Sequence, residues 1–180
     1  MTIPLAGRAY ASLVSRAAAV HGIPVGLIYA VMSQESNFRP TAFRAEPKIQ
    51  DGSHGLMQLL YRTAKALGYT GEVGEASKLT GLFDPATNID LGAQLLALNL
   101  KWTGSIEGAI SAYNGGFRPD LGFGKPATRP LSICLARDQK TGECIRRREV
   151  RIGEFANQPY VAAVMARLEL YTGDSGPHAA

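Results

Sequence analysis

The residue with the most chemical promise is an acid in an apolar setting. Ile28, Val31 and Met32 share one face of a predicted helix, and Glu35 follows Met32 by three residues, Val31 by four and Ile28 by seven. The apolar stripe therefore runs straight into a carboxylate, which is costly to bury unless it is paired or opens onto a cleft. Glu35 also falls in the last helical turn, where the partial negative end of the helix dipole disfavours a negative side chain. Desolvation by apolar neighbours acts in the same direction, so the expected pKa is raised. A carboxyl that keeps its proton near neutral pH can donate it to a leaving oxygen. A stripe that drifts outward and leaves Glu35 solvated explains the same spacing, and from this feature alone it is the simpler account. Other chemistries have less support. His21, His54 and His178 show no metal-ligand spacing, and Cys134 and Cys144 form no CxxC pair, so neither a metal nor another cofactor is expected.

The elements that must position Glu35 are mostly helical. A first block runs from about Pro4 to Val20 and stops at His21-Gly22. A second starts near Pro24 and continues to Ser36, where Asn37-Phe38-Arg39-Pro40 breaks it. A third covers about Leu59 to Leu67. A fourth opens with Asp84-Pro85, an N-cap and a proline suited to the first turn, and carries Ile89, Ala93, Leu96 and Leu100 at helical spacing. A fifth spans about Ser105 to Tyr113, and a last one Gln158 to Tyr171. Between the last two helices the texture changes. A loop rich in proline and glycine from 117 to 130 leads to two predicted strands, Leu131–Ala136 and Cys144–Ile152, around a turn at Lys140-Thr141-Gly142. Such a hairpin would set Cys134 opposite Cys144, and whether they join depends on a Cα separation that spacing does not supply.

Bulk properties bound the rest. At 180 residues and 46% hydrophobic content, the chain is expected to fold as one core-forming domain, mainly α with a small β-hairpin. A chain of this size buries roughly 70% of the surface its unfolded form exposes, enough to dispense with a metal or disulfide as a folding requirement. No run approaches the ~18 consecutive apolar residues of a membrane span. The net charge of +4 suits an anionic polymer such as a cell wall, and equally an ordinary solvated surface. Arg146-Arg147-Arg148 has no interleaved aromatic residues, so no nucleic-acid site is expected there. The start, Met1-Thr2-Ile3-Pro4-Leu5, lacks the pattern of a secretory signal, so either a signal has been removed or another route carries the protein to its substrate.

Longer words of sequence sharpen this picture. Ala30-Val31-Met32-Ser33-Gln34-Glu35-Ser36-Asn37-Phe38-Arg39-Pro40 resembles the opening motif of the soluble lytic transglycosylase (SLT) family, in which the Glu before Ser is catalytic. Gly55-Leu56-Met57-Gln58-Leu59, then Thr63-Ala64 and Leu67-Gly68, resemble its second motif. Leu82-Phe83-Asp84-Pro85 with Asn88-Ile89 and Gly92 is similar to the third, and Ala112-Tyr113-Asn114-Gly115-Gly116 to the fourth. Tyr160-Val161 with Val164 is similar to the closing helix. One such segment is weak; five in family order, across about residues 17–171, are specific.

The resemblance implies a lysozyme-like α+β fold and cleavage of peptidoglycan glycan strands. Glu35 would protonate the oxygen between N-acetylmuramic acid and N-acetylglucosamine. It would then serve as base while the muramic acid's own 6-hydroxyl closes a 1,6-anhydro ring. By the same resemblance Met57, Gln58, Tyr113, Asn114 and Tyr160 would line the groove and bind substrate. The sequence departs from the family in a longer link between the first two motifs, Phe43 to His54, in Tyr61 where a proline is usual, and in the extended 117–156 insertion. The long link leaves an alternative open, a goose-type lysozyme-like or chitinase-like hydrolase in which Glu46 or Asp51 positions a water. A wall-binding assembly protein that has lost catalysis is a third reading, and an acid on an apolar stripe argues against it. The expected setting is the bacterial periplasm or cell wall, reached as a virion-borne or phage-encoded enzyme or beside a secretion apparatus, with the chain acting as a monomer.

Overall fold

A computed structural model of the chain describes residues 3–172. They form seven α-helices and two small antiparallel sheets, the mainly helical α+β class that the sequence predicts. His178 lies outside the described residues. The chain divides into two compact units: one comprises the described residues through Ala97 and those from Ala163 onward, the other Leu98–Ala162.

In the first unit the predicted N-terminal helix is broken in two, α1 (Leu5–Arg8) and α2 (Ala11–His21), because Tyr10 leaves helical geometry at φ −105° and ψ 9°. Gly22 ends α2 in the left-handed conformation expected of a glycine C-cap, its N–H donating to the Ala18 carbonyl. The next helix, α3 (Val25–Ser36), corrects the one-sided stripe. Gly26 through Met32 are all buried, so over two turns the helix is enclosed on every side rather than amphipathic. A small residue at position 26 permits this: a Cβ there would lie 3.0 Å from Thr172 of α7 (Gln158–Thr172).

The long link between the first two motifs is a hairpin. β1 (Phe43–Glu46) and β2 (Asp51–His54) pair antiparallel around a 3-10 turn at Pro47–Ile49, with Phe43 opposite His54 and Glu46 opposite Asp51. β3 (Leu59–Leu60) adds to β2, so α4 (Tyr61–Ala66) starts two residues later than its apolar pattern predicts. The long helix α5 (Pro85–Thr103) begins as foreseen, with Asp84 Oδ2 accepting from the Thr87 N–H and hydroxyl, each at 2.8 Å.

The second unit contains α6 (Ile106–Gly115), capped by Ser105, whose hydroxyl oxygen accepts from the Gly108 N–H at 3.0 Å. Its hairpin consists of β4 (Leu131–Arg137) and β5 (Cys144–Val150). A disulfide joins Cys134 to Cys144 across a Cα separation of 5.7 Å, within the usual range. The two are not opposed, as the turn position suggested. Irregularities on either side of Ala136 shift the register, so Cys134 faces Arg147 and Cys144 faces Arg137. Asp138 holds the turn by accepting from the N–H groups of Lys140 and Thr141, each at 2.8 Å, and the Thr141 and Lys140 N–H groups hold its pKa below the ordinary value.

Candidate active site

Glu35 sits half-buried one residue before the end of α3. The turn that follows is unusually constrained. Asn37 and Phe38 both adopt positive φ, 50° and 62°, although neither is glycine. Asn37 caps the helix through its N–H to the Ser33 carbonyl, and the buried Ser36 hydroxyl donates to the Met32 carbonyl at 3.1 Å. Arg39 Nε donates to the Ser36 carbonyl at 3.2 Å. Three of the last carbonyls are thus satisfied without water. Phe38, only 5% exposed, anchors the turn in an aromatic cluster, with ring centroids 6.3 Å from Tyr29 and 6.5 Å from Tyr171. The Tyr171 hydroxyl also donates to the Ser33 hydroxyl at 3.1 Å, three residues before Ser36 and two before Glu35. A carboxylate carried on such a turn has little freedom to move.

The second motif is held by one buried amide. Asn88 of α5 is fully buried and makes three bonds: its Oδ1 accepts from the Met57 N–H at 2.7 Å, and its Nδ2 donates to the carbonyls of His54 at 2.8 Å and Leu82 at 2.7 Å. Gly55 is required by this arrangement. Its φ is +73°, and a Cβ there would sit 2.6 Å from both Asn88 Nδ2 and the Leu82 carbonyl. Met57 is fully buried, with its sulfur over Gly92, where a Cβ would approach it to 2.3 Å. Its side chain therefore packs motif against helix. Gln58, at φ 49°, commits its Nε2 to the carbonyls of Ala42 and Gly55, each at 3.0 Å. That leaves its Oε1 as the group with which it could meet a ligand.

Both acids of the long link have structural employment. Asp51 Oδ1 accepts from the N–H groups of Gly52 at 2.7 Å and Tyr61 at 3.1 Å. Its Oδ2 accepts from the Arg62 N–H and Nε, each at 3.1 Å. Asp51 thus caps the N-terminus of α4 with a side chain only 7% exposed. Burial alone would raise its pKa; the hydrogen bonds from Gly52, Arg62 and Tyr61 outweigh burial and hold it below the usual carboxylate range. Glu46 pairs with Arg44 at 2.6 Å and accepts from the Ser53 hydroxyl at 3.5 Å.

The remaining sequence-predicted positions belong to the second unit. Asn114 and the half-buried Tyr113 are on the last turn of α6, and Tyr160 is in the first turn of α7. One residue that the sequence reading missed, Asn157, joins these two helix ends. Its Nδ2 donates to Asn114 Oδ1 and to the Ser111 carbonyl, both at 3.0 Å, and its carbonyl accepts from the Tyr160 N–H at 2.9 Å. The Ser111 hydroxyl donates to Asn157 Oδ1 at 2.7 Å and accepts from the Gly124 N–H at 3.0 Å. Gly115 allows Phe123 to pack on the helix end, since a Cβ would come within 1.9 Å of that ring. Asn157 lies outside every matched motif, and a lone Asn before a helix carries no local mark of a partner 43 residues away. Among the described residues no helix is long and apolar enough to cross a membrane.

The chain is similar to the solved structure of an inactive mutant of the lytic transglycosylase Slt from Pseudomonas aeruginosa, with 29% identity over 63% of this chain and a TM-score of 0.48. The match covers 17% of that protein, so this chain spans a small part of its length. The family model described as the transglycosylase SLT domain matches residues 12–123, a stretch that contains Glu35, the Asn88-anchored loop and the end of α6. The chain belongs to the transglycosylase SLT domain family.

Proposed function

We propose that the chain cleaves the β-1,4 bond between N-acetylmuramic acid and N-acetylglucosamine in peptidoglycan, with Glu35 as its single acid and base. The observation that carries this reading is Glu35 itself, half-buried on a locked turn at the end of an enclosed helix, inside the matched family segment. The reaction begins from the protonated carboxyl of Glu35. In the first step that proton passes to the glycosidic oxygen as the bond to the anomeric carbon breaks. In the second, the 6-hydroxyl oxygen of the muramic acid attacks that carbon and its proton goes to the Glu35 carboxylate. The acid is regenerated and no water enters the product.

The engagement of both acids of the long link supports intramolecular attack over hydrolysis. A glycosidase needs a second carboxylate, about 5–5.5 Å away to retain configuration or about 6.5–9.5 Å away to invert it. The two acids of the long link are the ones that the hydrolase alternative would use. Asp51 is occupied as a helix cap and Glu46 as the partner of Arg44. Gln58 Oε1, Tyr113, Asn114 and Tyr160 are proposed to orient the sugar so that its own hydroxyl outcompetes water. The disulfide of the second unit suits an oxidising compartment such as the periplasm or wall space.

Digestion of purified peptidoglycan in ¹⁸O-labelled water tests the reaction. The expected fragments end in unlabelled 1,6-anhydro rings by mass spectrometry. Labelled reducing ends, lost on Asp51→Asn or Glu46→Gln substitution, would instead identify a hydrolase.

A further inference from the structure

The positive charge of this chain is not spread over it. Residues 117–156 contain nine Lys and Arg against five Asp and Glu, whereas the rest of the chain balances at ten of each. The whole net charge of +4 therefore lies in the insertion that contains the β4–β5 hairpin. Arg137, Arg146, Arg147 and Arg151 are exposed there. None of Arg146, Arg147, Arg148 and Arg151 enters an ion pair among the described residues. The acids beside them are partly used internally. Asp138 holds the turn, Glu149 accepts from the Ser132 hydroxyl at 2.7 Å, and Glu154 accepts from the Arg151 N–H at 3.1 Å.

The hairpin also buries little. Leu135, Ile145 and Ile152 are exposed, and across the two strands only Val150 is fully buried. A two-stranded hairpin with so little core is marginal in water on its own. The disulfide supplies what packing does not, by closing the loop between Cys134 and Cys144 and so limiting the unfolded alternatives. The result is a covalently braced, cationic arm whose arginines are free to meet a partner. From Leu131 to Arg151 it contains no Phe, Tyr or Trp, so it has no platform on which bases could stack.

We propose that the β4–β5 arm is an electrostatic docking site for the carboxylate-bearing stem peptides of peptidoglycan, and that it holds the enzyme on the wall between cleavage events. This rests on the function proposed above for its choice of polymer. Each stem peptide presents several carboxylates, and neighbouring stems repeat along a glycan strand. A mobile array of that kind is matched by exposed cations spread over both faces of a hairpin better than by a shaped pocket. The contact sets affinity for the polymer and leaves the chemistry at Glu35 unchanged.

The test is co-sedimentation with intact sacculi, using the full chain carrying Glu35→Gln so that the polymer survives. Combined Arg146→Gln, Arg147→Gln and Arg151→Gln substitution should weaken binding by on the order of tenfold, whereas the same positions changed to Lys should keep most of it. Raising the salt from 0.1 to 1 M, which shortens the screening length from ~10 Å to ~3 Å, should release the parent and affect the Gln variant far less. Sacculi whose carboxyls have been converted to amides should bind the parent as poorly as untreated sacculi bind the Gln variant. With Glu35 restored, the Gln variant should show a raised KM on sacculi at an unchanged kcat. Unaltered sedimentation of the Gln variant overturns the proposal, as does parent binding to amidated sacculi, phosphatidylglycerol vesicles or duplex DNA that matches its binding to untreated sacculi. Loss of glycan cleavage with these binding results intact would instead count against the proposed function alone.

Discussion

Replacing Asn88 with Ala should damage this protein more than its distance in sequence from Glu35 suggests. The side chain is fully buried and satisfies three backbone groups, the Met57 N–H and the carbonyls of His54 and Leu82, at 2.7–2.8 Å. Hydrogen bonds of this kind contribute about 0.5–1.5 kcal/mol each, and a buried donor left without an acceptor adds roughly 1–3 kcal/mol. With the lower half of each range, as suits a site that can relax around the smaller side chain, the expected loss is about 3–5 kcal/mol, a large part of the ~5–15 kcal/mol that stabilises a typical domain. Urea unfolding at neutral pH should show it as a lower midpoint with unchanged slope. The melting temperature should fall by roughly 6–20 °C. Asn88→Asp separates hydrogen bonding from packing. It keeps volume and the acceptor for Met57, but points a carboxylate oxygen at two carbonyl oxygens. Its folded-state pKa must then be raised, so this variant should gain stability as pH falls through that pKa and lose it as pH rises, the reverse of an ordinary paired Asp. A loss below about 1 kcal/mol for Asn88→Ala, or an Asn88→Asp variant indifferent to pH, would refute the assignment of this amide as the anchor of the Gly55–Gln58 loop.

Glu35→Gln should remain folded and lose at least the ~10²–10⁴-fold that general acid–base catalysis supplies, measured as release of soluble fragments from sacculi. If Glu35 is the proton donor, the alkaline limb of the parent's pH–rate profile should be absent from the residual activity of Glu35→Gln, and a limb that persists unchanged in that variant would sink the account. Asp51 has a folded-state pKa held below its ordinary 3.8, so its stabilising contribution is present above that value and disappears as pH falls through the lowered one. Stability curves between neutral pH and pH 2 should accordingly be flatter for Asp51→Asn than for the parent, with a lower plateau at neutral pH. Reduction of Cys134–Cys144 should lower the melting temperature by an amount matching about 2–3 kcal/mol on the chain-entropy account, and free alkylation of both thiols before reductant is added would contradict the bridge.

What the sequence made legible was local. Gly22 beyond α2, Pro24 before α3, Asp84-Pro85 at the start of α5 and Ser105 before α6 act through their own backbone neighbours, and their elements begin or end where those residues predict. Glu35 stood out for its place at the end of an apolar helix, although the enclosure of α3 on all sides was hidden by reading a single stripe from a segment that is small or apolar throughout. The β1–β2 hairpin was not legible. β1 alternates apolar with polar over only four residues and β2 not at all, Phe43 is 58% exposed, and the pairing depends on Asp51 and Gly55, whose partners lie elsewhere in the chain. Asn88 and Asn157 escaped as anchors for the same reason: a buried amide is identified by the backbone groups that converge on it, and sequence does not reveal convergence.

The consecutive left-handed residues after α3 have a kinetic consequence. A non-glycine residue in that conformation costs about 1–2 kcal/mol, and at Asn37 and Phe38 this is offset by Phe38 packing against Tyr29 and Tyr171. The turn is thus a loaded latch, and its cheapest escape is a local excursion in which Phe38 leaves the aromatic cluster and the last turn of α3 frays. Amide hydrogens from Glu35 to Arg39 should exchange through that opening well before those of Leu27 to Val31, whose release requires the helix itself to come apart. Warming would then misalign the carboxylate while the fold is still intact. Thermal loss of the proposed activity should precede melting, by a margin that narrows when the Phe38 anchor is tightened.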